Sequence, residues 1–213
     1  GEVRRTYRGG VKPLSSLAVS PDGSRLVAGS WDSCAFVWEV NGAEGAPPIQ
    51  LGGKPGPLQN IHINGVAISP DGAHLAAASD QQATFVYALR DGSLVATLTD
   101  GNADFGAAAF SPDGETLAIG GDNAAVTLWR TSDWKRLATL SGHREGVRAL
   151  RWSADGSTLF SAGGDRSLRA WDPAFRGYGG LRGAYGENNS SVTFSRDGAY
   201  VACSSSDGTI GTV

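Results

Sequence analysis

Ser20-Pro21-Asp22-Gly23 returns in the chain as Ser69-Pro70-Asp71-Gly72, Ser111-Pro112-Asp113-Gly114, Ser153-Ala154-Asp155-Gly156 and Ser195-Arg196-Asp197-Gly198. The residue numbers set the intervals between copies at 49, 42, 42 and 42 residues. A fixed period of this size marks a repeat architecture, in which each unit buries its apolar surface only against its neighbours. The 213 residues therefore read as one multi-unit domain, although length alone would allow two ordinary ones.

The fourth copy shows what a unit contains. Residues 147–152 (Val-Arg-Ala-Leu-Arg-Trp) alternate with the period of a half-buried strand, here strand a. Asp155 and Gly156 supply turn chemistry, a carboxylate that bonds its own backbone and a residue free to take positive φ. Residues 157–163 then form strand b, 164–167 a second tight turn, and 168–172 strand c. Residues 181–185 match 94–98 and 137–140 in place and give an outer strand d. The predicted fold is all-β, a β-propeller of four-stranded antiparallel blades with five repeats visible. The blades are expected at about 11–52, 61–100, 103–141, 145–186 and 189–213. Small residues in strand b, such as Ala76-Ala77-Ala78, suit crowded packing near a propeller axis, and 31 glycines placed at turns exclude a helical solenoid.

Composition narrows the function classes. Eighteen basic and twenty-one acidic residues give a net charge of −3, the opposite of a phosphate-binding footprint, so no nucleic-acid partner is expected. Cys34 and Cys203 are too few and too far apart for a disulfide framework or a zinc cluster. No apolar run approaches the roughly 20 residues that span a bilayer, and no signal-peptide layout opens the chain. The chain reads as soluble, with no membrane partner and a cytoplasmic or other intracellular setting. It contains no methionine, even at position 1, which reads as a piece of a longer protein or a processed product.

The residues resemble the WD-repeat family, whose pattern runs from Gly-His through a strand to Ser-Pro-Asp-Gly, then an Asp-containing turn and Trp-Asp. Gly142-His143, Asp165 and Trp171-Asp172 carry it in the fourth copy, with degraded forms at Trp38-Glu39, Tyr87-Ala88 and Trp129-Arg130. The resemblance covers essentially the whole chain. It implies a structural hydrogen-bonded chain through His143, Ser161, Asp165 and Trp171. The imidazole would donate to the turn carboxylate and accept from the hydroxyl, which accepts from the indole N–H. The other copies lack a member: Gly9-Gly10 and Ala28 stand in the first, Gln81 and Asn123 at the turn of the second and third.

Catalytic chemistry finds little support. Ser161, His143 and Asp165 have the composition of a hydrolase triad, yet each stands at its structural position and no Gly-x-Ser-x-Gly surrounds the serine. His62, His74 and His143 lack metal-ligand spacing, and His74 reads as solvated. The glycine-rich stretch 177–186 lacks a phosphate-loop pattern and reads as a loop with an outer strand. No cofactor, metal or catalytic residue is expected.

Function is then expected on the top face of the propeller, where the resemblance places Trp31, His62, Asn64, Asp80, Asp104, Asp122, Arg148 and Asn188. Trp31 reads either as an interface anchor or as a cap on its neighbouring blade. Asp80, Asp104 and Asp122 read either as a patch that steers a basic peptide or as turn carboxylates capping backbone amides. The expected role is a non-catalytic scaffold that binds a protein or peptide. The alternative is a regulatory propeller of a larger enzyme such as a kinase or peptidase. Residues 41–57, rich in Gly and Pro, read as a neutral loop around a short outer strand. Residues 1–9 align with strand d, and 208–213 with strand c ending at Val213. The ends therefore allow either a five-bladed ring or, as favoured, a fragment of a larger, seven-bladed propeller.

Overall fold

A computed structural model describes residues 4–52, 61–99, 104–172, 181–184, 189–195, 200–205 and 210–212. Among them no helix occurs, and the chain is built from antiparallel sheets. The first sheet runs β1 (Leu14–Val19), β2 (Arg25–Ser30), β3 (Cys34–Glu39) and β4 (Ile49–Gly52) in chain order. The second runs β5 (Ile63–Ile68), β6 (His74–Ser79), β7 (Ala83–Ala88) and β8 (Leu94–Thr99). The third contains β9 (Phe105–Phe110), β10 (Thr116–Gly121), β11 (Ala125–Arg130) and β12 (Arg136–Ser141). The fourth contains β13 (Val147–Trp152), β14 (Leu159–Gly163), β15 (Ser167–Trp171) and β16 (Leu181–Ala184). The fifth shows three strands, β17 (Asn189–Phe194), β18 (Val201–Ser205) and β19 (Ile210–Thr212). Each four-stranded sheet is one propeller blade, with its first strand innermost.

The recurring tetrapeptide folds the same way in each of the first four copies. Ser20 Oγ donates to Asp22 at 2.6 Å, Asp22 accepts from the Ser24 amide at 3.0 Å, and Ser20 Oγ accepts from the Arg25 amide at 2.8 Å. Gly23 closes the turn at φ 70°, a region that costs glycine nothing. The serine hydroxyl bonds hold the Asp22 and Asp155 carboxyls down at about 2.

Two irregularities also repeat. In the hairpin between second and third strands, Ser33, Gln82, Ala124 and Arg166 all take positive φ, although none is glycine. In every inner strand the pairing skips one residue: position 15, 64, 106, 148 or 190 bulges out of the ladder.

Packing follows the alternation. Val27, Ala35 and Val37 face the second blade and bury against Ile63, Val66, Leu75 and Ala77, whereas Ala28, Phe36 and Trp38 face the other way. Ala76, Ala78 and Val86 meet Leu117, Ile119 and Trp129. Ala118, Val126 and Leu128 meet Leu150, Leu159 and Trp171. Both faces of each middle sheet are thus consumed, and each fully buried Leu, Ile or Val stabilises by about 1.5–3 kcal/mol. Gly120 permits close approach, since a Cβ there would lie 2.6 Å from Val147.

The contacts between inner strands run from β1 to β5, β9, β13 and β17, and among the described residues none of similar extent links β17 back to β1. Among the described residues the blades follow one another in an arc from the first to the fifth. Residues 4–10 depart from expectation: they form no strand. Instead they lie on the first blade, with Tyr7 edge-on to Trp38 at 6.2 Å and Arg5 donating to the carbonyls of Val40, Gly42 and Ala43. The physical reason is that a fourth strand needs a third strand beside it. Val213 and residues 1–3, 53–60, 100–103, 173–180, 185–188, 196–199 and 206–209 lie outside the described residues.

Thr84 Oγ1 is the buried side-chain polar atom without a hydrogen-bond partner among the described residues, set between Ala78 and Leu98. Thr84→Val keeps the branched shape and removes the unsatisfied hydroxyl. Urea unfolding is expected to show a gain of about 1 kcal/mol; a loss would mean that the hydroxyl is satisfied in solution.

Candidate partner-binding face

The fourth blade carries the complete side-chain network. His143 Nδ1 lies 2.9 Å from Asp165 Oδ1, His143 Nε2 lies 2.6 Å from Ser161 Oγ, and Trp171 Nε1 donates to Ser161 Oγ at 2.8 Å. Because Asp165 only accepts, the imidazole carries its proton on Nδ1 and accepts from the serine at Nε2. Ser167 adds a link that the sequence reading missed, donating to Asp165 at 2.7 Å, and the Arg144 amide donates to the second carboxylate oxygen at 2.9 Å. The signal available was the Asp-x-Ser spacing of a side chain that folds back on its own turn. Gly163 was missed as well, although a Cβ there would press on His143 Nδ1 at 2.5 Å.

This constellation has the connectivity of a triad but no access. Ser161 is 0% exposed and its oxygen already receives the indole N–H, so no substrate carbonyl can reach it. Burial pushes the His143 imidazole below its ordinary value, outweighing the opposing pull of Asp165. Burial alone would raise the Asp165 carboxyl, yet bonds from Ser167, the Arg144 amide and His143 bring it down to about 2.

The other blades settle the same polar groups differently. Trp129 Nε1 donates to Thr127 Oγ1 at 3.0 Å, and Trp38 Nε1 to the Arg8 carbonyl at 3.2 Å. Asp32 accepts from the amides of Val11 and Lys12 at 2.8 and 3.1 Å, in the register in which Asp165 accepts from Arg144. Gly10 stands where the fourth blade has its histidine, and any Cβ there would collide with Asp32.

Among the described residues, six of the positions expected on the top face, Trp31, His62, Asp80, Asp104, Asp122 and Arg148, neighbour one another in a band. Within a blade, the Trp31 amide donates to Pro13 O, Asp80 to His62 O, Asp122 to Asp104 O and Gly164 to Gly146 O. Between blades, the rings of Trp31 and His62 lie 4.8 Å apart, and Asp104 feels the charges of Asp80 and Asp122. A Cβ on Gly146 would lie 2.6 Å from Asp122. The band therefore steps Trp31, His62, Asp80, Asp104, Asp122. The sequence reading placed these residues on one face without this zigzag, which depends on contacts between sheets.

The members differ in what they leave free. His62 Nδ1 sits 2.7 Å from Asp80 Oδ2, while the His62 amide donates to the other oxygen at 2.8 Å. Arg148, on the bulge of β13, reaches Asp122 at 2.8 Å. Asp104 has no cationic partner among the described residues, and burial together with Asp80 and Asp122 raises its carboxyl above the usual range. Trp31 is 41% exposed. Asn64 occupies the bulge of β5, and Asn188 lies outside the described residues. His74 is away from this band, half-buried with its ring 5.4 Å from that of Trp134. Among the described residues no group of three or more His, Cys, Asp and Glu is placed to hold a metal ion.

Repeated four-stranded blades in an arc, pinned once by a His–Ser–Asp–Trp network, define a β-propeller of the repeat type. Residues 1–39, 55–85, 90–130, 134–172 and 187–211 match the WD40 family model, described as WD domain, G-beta repeat. The chain belongs to the WD-repeat family. It is similar to a Periodic tryptophan protein 2 homolog of Neurospora crassa, 40% identical over 52 residues that cover 24% of this chain and 6% of that protein. A solved structure described as "Structure of U3-55K" superposes with TM-score 0.83 at 21% identity, covering 96% of this chain and 62% of that one. The chain thus spans less than two thirds of either relative, and the likeness to the solved structure concerns the fold.

The network makes a stability prediction with a sign. A histidine held neutral in the fold contributes stability that is present above its unfolded value of about 6.5 and lost as pH falls below it. Asp165, lowered to about 2, contributes stability present above about 3.8 and lost toward pH 2. Unfolding midpoints are expected to drop between pH 7 and 5 and again below pH 4. His143→Ala is expected to cost about 2–4 kcal/mol at pH 7 and to flatten the first drop. An unchanged midpoint in the variant would remove the network from the stability of the fold.

Proposed function

We propose that the protein is a non-catalytic scaffold that binds a protein or peptide through the top-face band from Trp31 to Asp122. The observation that carries this reading is Asp104, an acid without a cationic partner among the described residues, set between two further acids. The half-exposed Trp31–His62 pair lies at the end of the same band. Three carboxylates on adjacent blades, with Arg148 paired to one of them, leave a negative field that steers Lys- or Arg-bearing segments. An indole beside that field offers an apolar or cation–π anchor. Family membership supports the class of role, since rigid propellers leave their end surfaces free to vary.

The test is a fluorescence titration of the chain with labelled Lys/Arg-rich peptides at two salt concentrations. Asp104→Lys is expected to weaken binding at least about tenfold, or ~1.4 kcal/mol, with an unchanged melting midpoint. Trp31→Ala is expected to weaken it independently of salt. Equal affinity in both variants would place binding elsewhere on the molecule.

A further inference from the structure

On the reading of the band as the binding face, we infer that it selects a segment in which a basic residue stands between an apolar one and an acidic one, with Trp31 taking the apolar residue, Asp104 the base and Arg148 the acid. Chemistry along the band changes in one sense. At one end Trp31 is 41% exposed and its ring lies 4.8 Å from that of His62, which leaves part of the indole open to an apolar side chain. In the middle the carboxylates are not equivalent. Both oxygens of Asp80 are engaged by His62, one by the ring nitrogen at 2.7 Å and the other by the amide at 2.8 Å. Asp122 faces Arg148 at 2.8 Å. Asp104, under the influence of both acids, has no cationic partner among the described residues, so an incoming Lys or Arg gains most there.

Arg148 sets the far end. It stands at the residue that the β13 ladder skips, so neither the pairing nor the core requires its charge. The corresponding residues of the other inner strands, Ser15, Asn64, Gly106 and Ser190, are uncharged. Both side chains of the Arg148–Asp122 pair are 50% exposed, and an ion pair so well hydrated contributes little and exchanges readily. A base docked at Asp104 also lies beside Asp122, because the two carboxylates feel each other. There it competes with Arg148 for Asp122 and repels the guanidinium. An acidic residue next in the segment resolves both costs, since it accepts from the freed guanidinium, whose planar fork fits a carboxylate. Arg144 and Glu145, the exposed charged residues of the loop before β13, have opposite signs and leave that balance as it is. Gly146 keeps the pair close to the backbone, since a Cβ there would lie 2.6 Å from Asp122 Oδ1 and 3.4 Å from Arg148 Cζ. An acid at the centre of the segment would instead meet Asp80, Asp104 and Asp122 together, which is why the base is the middle residue.

The test is a fluorescence titration at low salt with labelled peptides that differ only in their anchors, separated by one or two serines. One carries Leu, Lys and Glu in that order, the second has Gln for Glu, and the third has the order Leu, Glu, Lys, with the acid in the middle. The Glu-ended peptide is expected to bind about three- to fivefold tighter than the Gln-ended one, and the permuted peptide weakest. Arg148→Gln is expected to move the first two in opposite directions, weakening the Glu-ended peptide and tightening the Gln-ended one as Asp122 is released, with an unchanged melting midpoint. Arg148→Glu should transfer the preference to a peptide with Lys in place of Glu. A shift of both peptides in the same direction, or a permuted peptide bound as tightly as the first, would overturn the inference. If Asp104→Lys still weakens binding in that case, the band stands as the binding face without the selection. No binding of any peptide would overturn both.

Discussion

Each of the first four blades of this protein has two apolar faces and can satisfy neither alone. An antiparallel sheet exposed on one side ordinarily alternates apolar and polar residues, but β2, β6, β10 and β14 are buried along nearly their whole length. Burial on both sides demands a neighbour on each side, so stability belongs to the stack and to each interface between consecutive blades. The demand also explains residue size. Ala76 to Ala78 and Gly120 keep the second strands thin, which lets β13 press its Val147 within reach of the third blade.

The sequence made local chemistry legible and left long-range geometry hidden. The Ser-x-Asp-Gly turns and the strand order within a blade are spaced by the repeat itself, so register locates them, whereas the residues of the fourth-blade network followed from the resemblance to the WD-repeat family. The positive φ of Ser33, Gln82, Ala124 and Arg166 carries no glycine signal, because the hairpin imposes the conformation on whatever residue stands there. The zigzag from Trp31 to Asp122 is set by how sheets stack, and no pattern along one strand reports it. Residues 4–10 were legible as a fourth strand by alignment, yet the ladder is missing because strand formation requires a partner that alignment cannot see.

Polar accounting shows how the repeat tolerates sequence drift. A buried indole N–H left unpaired is costly, and among the described residues the chain meets that requirement four ways, through Ser161, Thr127 and the carbonyls of Arg8 and Ala109. Similarly, a turn carboxylate serves backbone amides in both the first and fourth blades, with a histidine present in only one of them. What persists between copies is the satisfaction of each group, and the residue that provides it changes. The four-membered network is one solution among several to the same local problem.

The bulge in each inner strand separates two kinds of position. Residues in the ladder are tied to the alternation, because a change of parity would turn an apolar side chain away from its interface. The residue skipped by the pairing escapes that bookkeeping, and the five copies place Ser15, Asn64, Gly106, Arg148 and Ser190 there. Ser15 bonds the carbonyl of Ile63 on the next blade, and Arg148 crosses to Asp122 on the previous one. The scaffold thereby holds interchangeable sockets at the rim of its axis, where evolution or an engineer can rewrite surface chemistry while the fold stays as it is.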